Sequence, residues 1–75
     1  MRHYNEDYLI GAVYHVLEDE MPEIRIMTIR AIVHLSKQVS VRKAINIKEI
    51  LLYFLNDDFD SVRVAAIEGL MKVYK

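Results

Sequence analysis

The sequence predicts an all-α protein made of two helix-hairpin repeats stacked side by side, four helices in all. Three observations carry this. Apolar residues recur at steps of three and four along most of the chain, the spacing that lines one face of a helix. Two breaks rich in acidic and turn residues interrupt the pattern, Glu18-Asp19-Glu20-Met21-Pro22 and Asn56-Asp57-Asp58-Phe59-Asp60. The stretch from Val16 to Leu35 also aligns without a gap on that from Phe54 to Val73, at an offset of 38 residues.

The first helix is expected from about Asn5 to Glu18, with Leu9, Ala12, Val13, Val16 and Leu17 on its apolar face. Asn5 is a suitable N-cap, and Glu6 and Asp7 place carboxylates in the first turn, where the helix dipole favours them. Pro22 then opens a second helix, because proline suits the first turn and disfavours helical geometry in the residue before it. Ile24, Met27, Thr28, Ala31, Ile32 and Leu35 carry the pattern onward. Its many β-branched residues would suit a strand, but apolar positions spread over about sixteen residues exceed strand length.

Between Gln38 and Asn46 the residues Val39, Val41, Ala44 and Ile45 could extend either neighbouring helix, and this stretch is expected to act as a linker. Asn46-Ile47-Lys48-Glu49 reads as a capping-box-like start, with Glu49 three residues beyond the cap. Ile47, Ile50, Leu51, Phe54 and Leu55 form the buried face of a third helix. In the second break Asp58 or Asp60 is the expected N-cap of a fourth helix running to the end.

In the aligned stretches Leu17/Leu55, Asp19/Asp57, Arg25/Arg63 and Ile29/Ile67 are identical, and apolar residues match at Val16/Phe54, Met21/Phe59, Ile24/Val62, Ile26/Val64, Ile32/Leu70, Val33/Met71 and Leu35/Val73. A period of 38 residues holding two helices is the size of a solenoid unit. Within each copy a turn aspartate is followed six positions later by arginine: Asp19 with Ile24-Arg25, and Asp57 with Val62-Arg63. This D-x-x-x-x-[VI]-R-x-x-[AT] pattern resembles the signature of the HEAT-repeat family. The length leaves room for one domain, over residues 1–75, and the resemblance implies repeats within it at about 5–38 and 43–75. It implies antiparallel hairpins stacked as a short α-solenoid, with Asp19, Arg25, Asp57 and Arg63 forming a ladder of hydrogen bonds between repeats. A guanidinium fork meeting carboxylates supplies the directional bonding such a ladder needs.

The resemblance further implies a concave, partner-facing surface made by one stripe of each repeat's second helix. Glu23, Met27, Arg30, His34 and Lys37 form one stripe, and Ser61, Ala65, Glu68, Lys72 and Lys75 the other. Glu68 and Lys72 are in the favourable order for a pair one turn apart. On the opposite layer Tyr14, His15, Leu52 and Tyr53 either form an aromatic patch suited to association or complete the core between the two first helices. The small residues Ala65, Ala66 and Gly69 would let another helix approach closely, so the last helix, or the first, is the expected self-association surface.

Composition narrows the function. A 75-residue chain buries only about 60% of its unfolded surface, and with no cysteine it has no disulfides to compensate. Since solenoids draw on roughly three or more units, and 53% of the residues are hydrophobic, a second copy or another protein is expected to complete the structure. A net charge of −1, from 10 basic and 11 acidic residues, opposes nucleic-acid binding by bulk electrostatics. The basic cluster Lys37, Arg42, Lys43 and Lys48 keeps a small nucleic-acid-binding helical module as the alternative. His15 and Glu18 share a face but lack further ligands for a metal. No Gly-rich phosphate loop, thiol nucleophile or supported serine-histidine arrangement occurs, so neither enzymatic activity nor a cofactor is expected. No apolar run reaches the ~20 residues of a membrane span, and the charged start lacks a signal-peptide core. The expected location is the cytoplasm.

Overall fold

The computed structural model describes the backbone of residues 6–74 and the side chains of residues 11–74. The elements are α1 (Glu6–Val16), α2 (Pro22–Leu35), α3 (Val39–Ala44), α4 (Ile47–Phe54) and α5 (Asp60–Val73), with no strand among the described residues. The described residues are therefore all-helical, but with five helices rather than the four expected. The additional one is α3, in the stretch expected to be a linker. Gln38, in extended geometry, separates it from α2, and Ile45, also extended, separates it from α4. Val41 of this helix and Ile45 just beyond it are buried, so the segment carries two apolar residues into the core. Arg42 Nη1 in turn donates to the Ser36 carbonyl at 2.6 Å, satisfying a group at the C-terminus of α2.

Helices α2 and α5 are each 14 residues long, and both their first and last residues differ by the same 38 positions as the sequence repeat. Helices α1 and α4 likewise end at the equivalent residues Val16 and Phe54. The contact between α2 and α5 is the most extensive; α4 packs on both, and α1 rests on α2 and α3.

The helix termini correct two sequence expectations. Asp58 and Asp60 cap nothing: the N-cap of α5 is Phe59, without a side-chain cap bond, just as Met21 is the N-cap of α2. The turn aspartates act two residues earlier, Asp19 Oδ1 accepting the Met21 N–H at 2.9 Å and Asp57 Oδ1 the Phe59 N–H at 3.0 Å. Pro22 occupies the first position of α2, where a missing N–H costs nothing. The first helix ends at Val16, short of Glu18, and its expected cap Asn5 lies outside the described residues. Asn46 does cap α4, its Oδ1 accepting the Glu49 N–H at 3.0 Å.

Ile47, Ile50, Leu51 and Phe54 of α4 are all buried and meet Ile29 and Ile32 of α2 and Val62, Ala65 and Ala66 of α5 in one core. Ala65, Ala66 and Gly69 are therefore buried against other helices of the same chain, which corrects the expectation of a small-residue docking face. They let α5 close on α2 and α4 within the chain. A Cβ at Gly69 would stand 2.9 Å from Val33 Cγ2 and 3.3 Å from Leu51 Cδ2, so the absence of a side chain sets the helix separation there. Along α2 the expected apolar set is also revised. Met27 and Ala31 are exposed, whereas Ile29 is among the most deeply buried side chains.

Candidate functional site

Arg25, on the first full turn of α2, sits at the centre of a polar junction. Its Nε and Nη2 donate to the two carboxylate oxygens of Asp57 at 2.6 and 2.9 Å, and Nη1 donates to the backbone carbonyl of Asp19 at 2.5 Å. The two side chains are only 12% and 9% exposed. The Arg25 guanidinium carbon also lies 5.7 Å from the centre of the Phe59 ring, within the range where an aromatic face attracts a cation. The hydrogen bond from Arg25 is the main cause holding the Asp57 carboxyl below the usual carboxylate range, assisted by the Phe59 N–H and opposed by desolvation. The same bond raises the pKa of Arg25.

Arg63 repeats part of this arrangement. Its Nη1 donates to the Asp57 carbonyl at 2.5 Å, as Arg25 does to Asp19. Its Nη2 donates to the exposed carboxylate of Asp60 on the same helix. Asp19 is the complementary case: its Oδ1 takes a backbone N–H, and among the described residues no arginine reaches its carboxylate. Of the four residues expected to form a ladder, the structure thus joins the Arg25 guanidinium to the Asp57 carboxylate, and among the described residues it shows no such pairing between Arg63 and Asp19.

The expected partner-facing stripes are brought together in part. Arg30, His34 and Lys37 of α2 and the following turn stand opposite Glu68 and Lys72 of α5, across an open groove of about 390 Å³ floored by Ile29, Val33, Ala65 and Gly69. Glu68 and Lys72 close no ion pair. Glu23, Met27 and Ser61 are exposed but lie outside this groove, and Lys75 lies outside the described residues. Beyond the opposite layer, Tyr14 and Tyr53 border a second hollow of about 310 Å³ with Leu17, Glu18, Glu49 and Ile50, and Leu52 is exposed nearby on α4.

The basic residues do not converge. Lys37 lines the α2–α5 groove, Arg42 and Lys43 border a separate hollow beside Tyr74, and Lys48 borders neither. Among the described residues no three His, Asp or Glu side chains are grouped to hold a metal ion, and no helix is long and apolar enough to cross a membrane.

One surface was not singled out by sequence reasoning. Val64, Ile67 and Met71 make a row on the outer side of α5 and are 51%, 48% and 68% exposed. Their partners in the 38-residue alignment, Ile26, Ile29 and Val33, belong to or pack against the core. The signal for this surface was present in the alignment, which pairs these three residues with apolar residues of α2. Comparison of the chain with family models, curated proteins and solved structures gives no match.

Proposed function

We propose that the protein is a non-enzymatic protein-interaction and assembly module of HEAT-repeat type. On this reading two antiparallel hairpins, at about 5–38 and 43–75, stack as a short α-solenoid that associates with another copy of itself or docks on a different protein. The observation that carries the proposal is the exposed apolar row Val64, Ile67 and Met71, whose counterparts on α2 belong to or pack against the core. Apolar side chains in register with a buried face are what a stacking helical unit presents to its neighbour. The junction of Arg25, Asp57 and the Asp19 carbonyl adds directional bonds across the repeat boundary, as expected of a solenoid ladder.

The mixed groove between α2 and α5 is the accompanying surface for a partner segment, with an apolar floor and a rim of Arg30, His34, Lys37, Glu68 and Lys72. The dispersal of Lys37, Arg42, Lys43 and Lys48 over separate hollows favours a protein ligand over nucleic acid, which is gripped by a continuous basic stripe. Light scattering over a concentration series tests the self-associating form. A mass above that of one chain, rising with concentration, is expected. A folded monomer at every concentration would exclude a second copy as the partner.

A further inference from the structure

The contact between α2 and α5 is a template for a second contact that the molecule leaves unmade. Applying the 38-residue equivalence once more carries α2 onto α5 and α5 onto the α2 of a neighbouring molecule. The surfaces needed are open on both sides. On one side stand Val64, Ile67 and Met71 of α5; on the other, Met27 and Ala31 of α2 are exposed at the positions equivalent to Ala65 and Gly69. Steric details change together. Inside the chain, stiff Val33 faces Gly69, where even a Cβ would come within 2.9 Å. In the repeated contact Met71 takes the place of Val33 and Ala31 that of Gly69. Methionine, unbranched and flexible, can yield where valine cannot.

The polar groups agree with the apolar ones. Arg25 reaches forward from α2 to the Asp57 carboxylate. Arg63 is its equivalent and is turned to exposed Asp60, while the carboxylate of Asp19, the equivalent of Asp57, meets no arginine among the described residues. The cation is thus on the α5 side and the anion on the α2 side. Met21, equivalent to Phe59, is exposed beside that anion.

We infer that the chain associates head to tail, the outer face of α5 in one copy packing on the Met27/Ala31 face of α2 in the next, with Arg63 of the first bonded to Asp19 of the second. This rests on the self-associating reading above and specifies its geometry. The contact is heterologous, so each copy has one free face of each kind, and assemblies grow by addition without closing as a two-fold dimer.

The test uses the 75-residue chain and light scattering, with helicity checked by circular dichroism. Wild-type mass should continue to rise with concentration beyond two copies. Arg63→Glu alone and Asp19→Arg alone should each associate about tenfold more weakly or worse, because each sets like charges against one another. An equimolar mixture of the two should associate again, since pairing the unaltered Arg63 of one variant with the unaltered Asp19 of the other, and the glutamate of Arg63→Glu with the arginine of Asp19→Arg, restores opposite charges in both mixed contacts. Should either variant fail to fold, Ile67→Asp and Ala31→Glu, both at exposed positions, replace them. Each alone should be monomeric, and their mixture should stop at a pair, joined by the one intact face of each.

Wild-type association that Asp19→Arg and Ala31→Glu leave unchanged would overturn the head-to-tail geometry while leaving self-association intact, the result for a symmetric contact through α5. A wild-type monomer throughout would overturn self-association itself.

Discussion

Arg25 concentrates the specific bonding of the molecule in one side chain. Three of its nitrogens donate, two to the Asp57 carboxylate and one to the Asp19 carbonyl, while its guanidinium lies near the Phe59 ring. Lysine could supply the charge but not the fork. Because the pair is largely shielded from water, Asp57→Asn should lower unfolding stability by about 1.5–3 kcal/mol, the range for hydrogen bonds to charged groups. Asp60→Ala should change it by no more than about 0.5 kcal/mol, since the Asp60 side chain is 89% exposed. Urea denaturation of the two variants separates the cases. The pair also carries a pH signature. Because Arg25 holds the folded-state pKa of Asp57 below the ordinary value, its contribution is complete above the unfolded pKa of about 4. It is lost as pH falls through the lower folded value. Wild-type stability should therefore fall more steeply below about pH 4 than that of Asp57→Asn.

At the scale of the helices, the two glycines make opposite predictions from one chemical change. Gly11 lies in α1, and a Cβ added to it would meet nothing within 4 Å, so Gly11→Ala should stabilise by up to about 1 kcal/mol through helix propensity. Gly69→Ala receives the same gain but presses its methyl against Val33 and Leu51. Overpacking of this kind costs about 1–3 kcal/mol, so a net loss of about 1 kcal/mol is expected. Paired thermal melts should show a rise for the first and a fall for the second. Helix starts follow a comparable economy of groups. Asn46 bonds directly to the Glu49 N–H of α4, whereas α2 and α5 use an aspartate two residues before the N-cap. That choice leaves the second carboxylate oxygen of each aspartate free of its own helix; in Asp57 this Oδ2 accepts from Arg25 Nε, while Oδ1 accepts from both the Phe59 N–H and Arg25 Nη2.

For the whole molecule, the proposed association and the fold share one set of energies. If a neighbouring copy covers Val64, Ile67 and Met71, binding stabilises the native state by about 2.7 kcal/mol at a hundredfold excess over Kd. For a domain of this size that corresponds to a rise in Tm on the order of 10–20 °C. Wild-type Tm should increase with protein concentration, and that of Ile67→Asp should not; calorimetry at several concentrations measures both. A concentration-independent wild-type Tm would count against any second copy on this face.

The sequence by itself determined the all-helical class, because apolar spacing of three and four is imposed by helix geometry and survives without knowledge of neighbours. It also determined the 38-residue equivalence, Pro22 as the opening of α2 and Asn46 as the cap of α4, all of which depend on the order of residues along the chain. The tertiary structure decided what local chemistry leaves degenerate. Residues Val39–Ala44 form a separate helix because Gln38 and Ile45 are extended, and neither residue type announces such a break. Ala65, Ala66 and Gly69 proved to be an internal seam, because a small residue permits close approach without specifying which helix approaches. Likewise Ile29 is buried and Ile67 exposed, although they are identical and occupy equivalent positions. The difference is that α5 covers one and nothing among the described residues covers the other, a fact of spatial order that no property of the isoleucine side chain encodes.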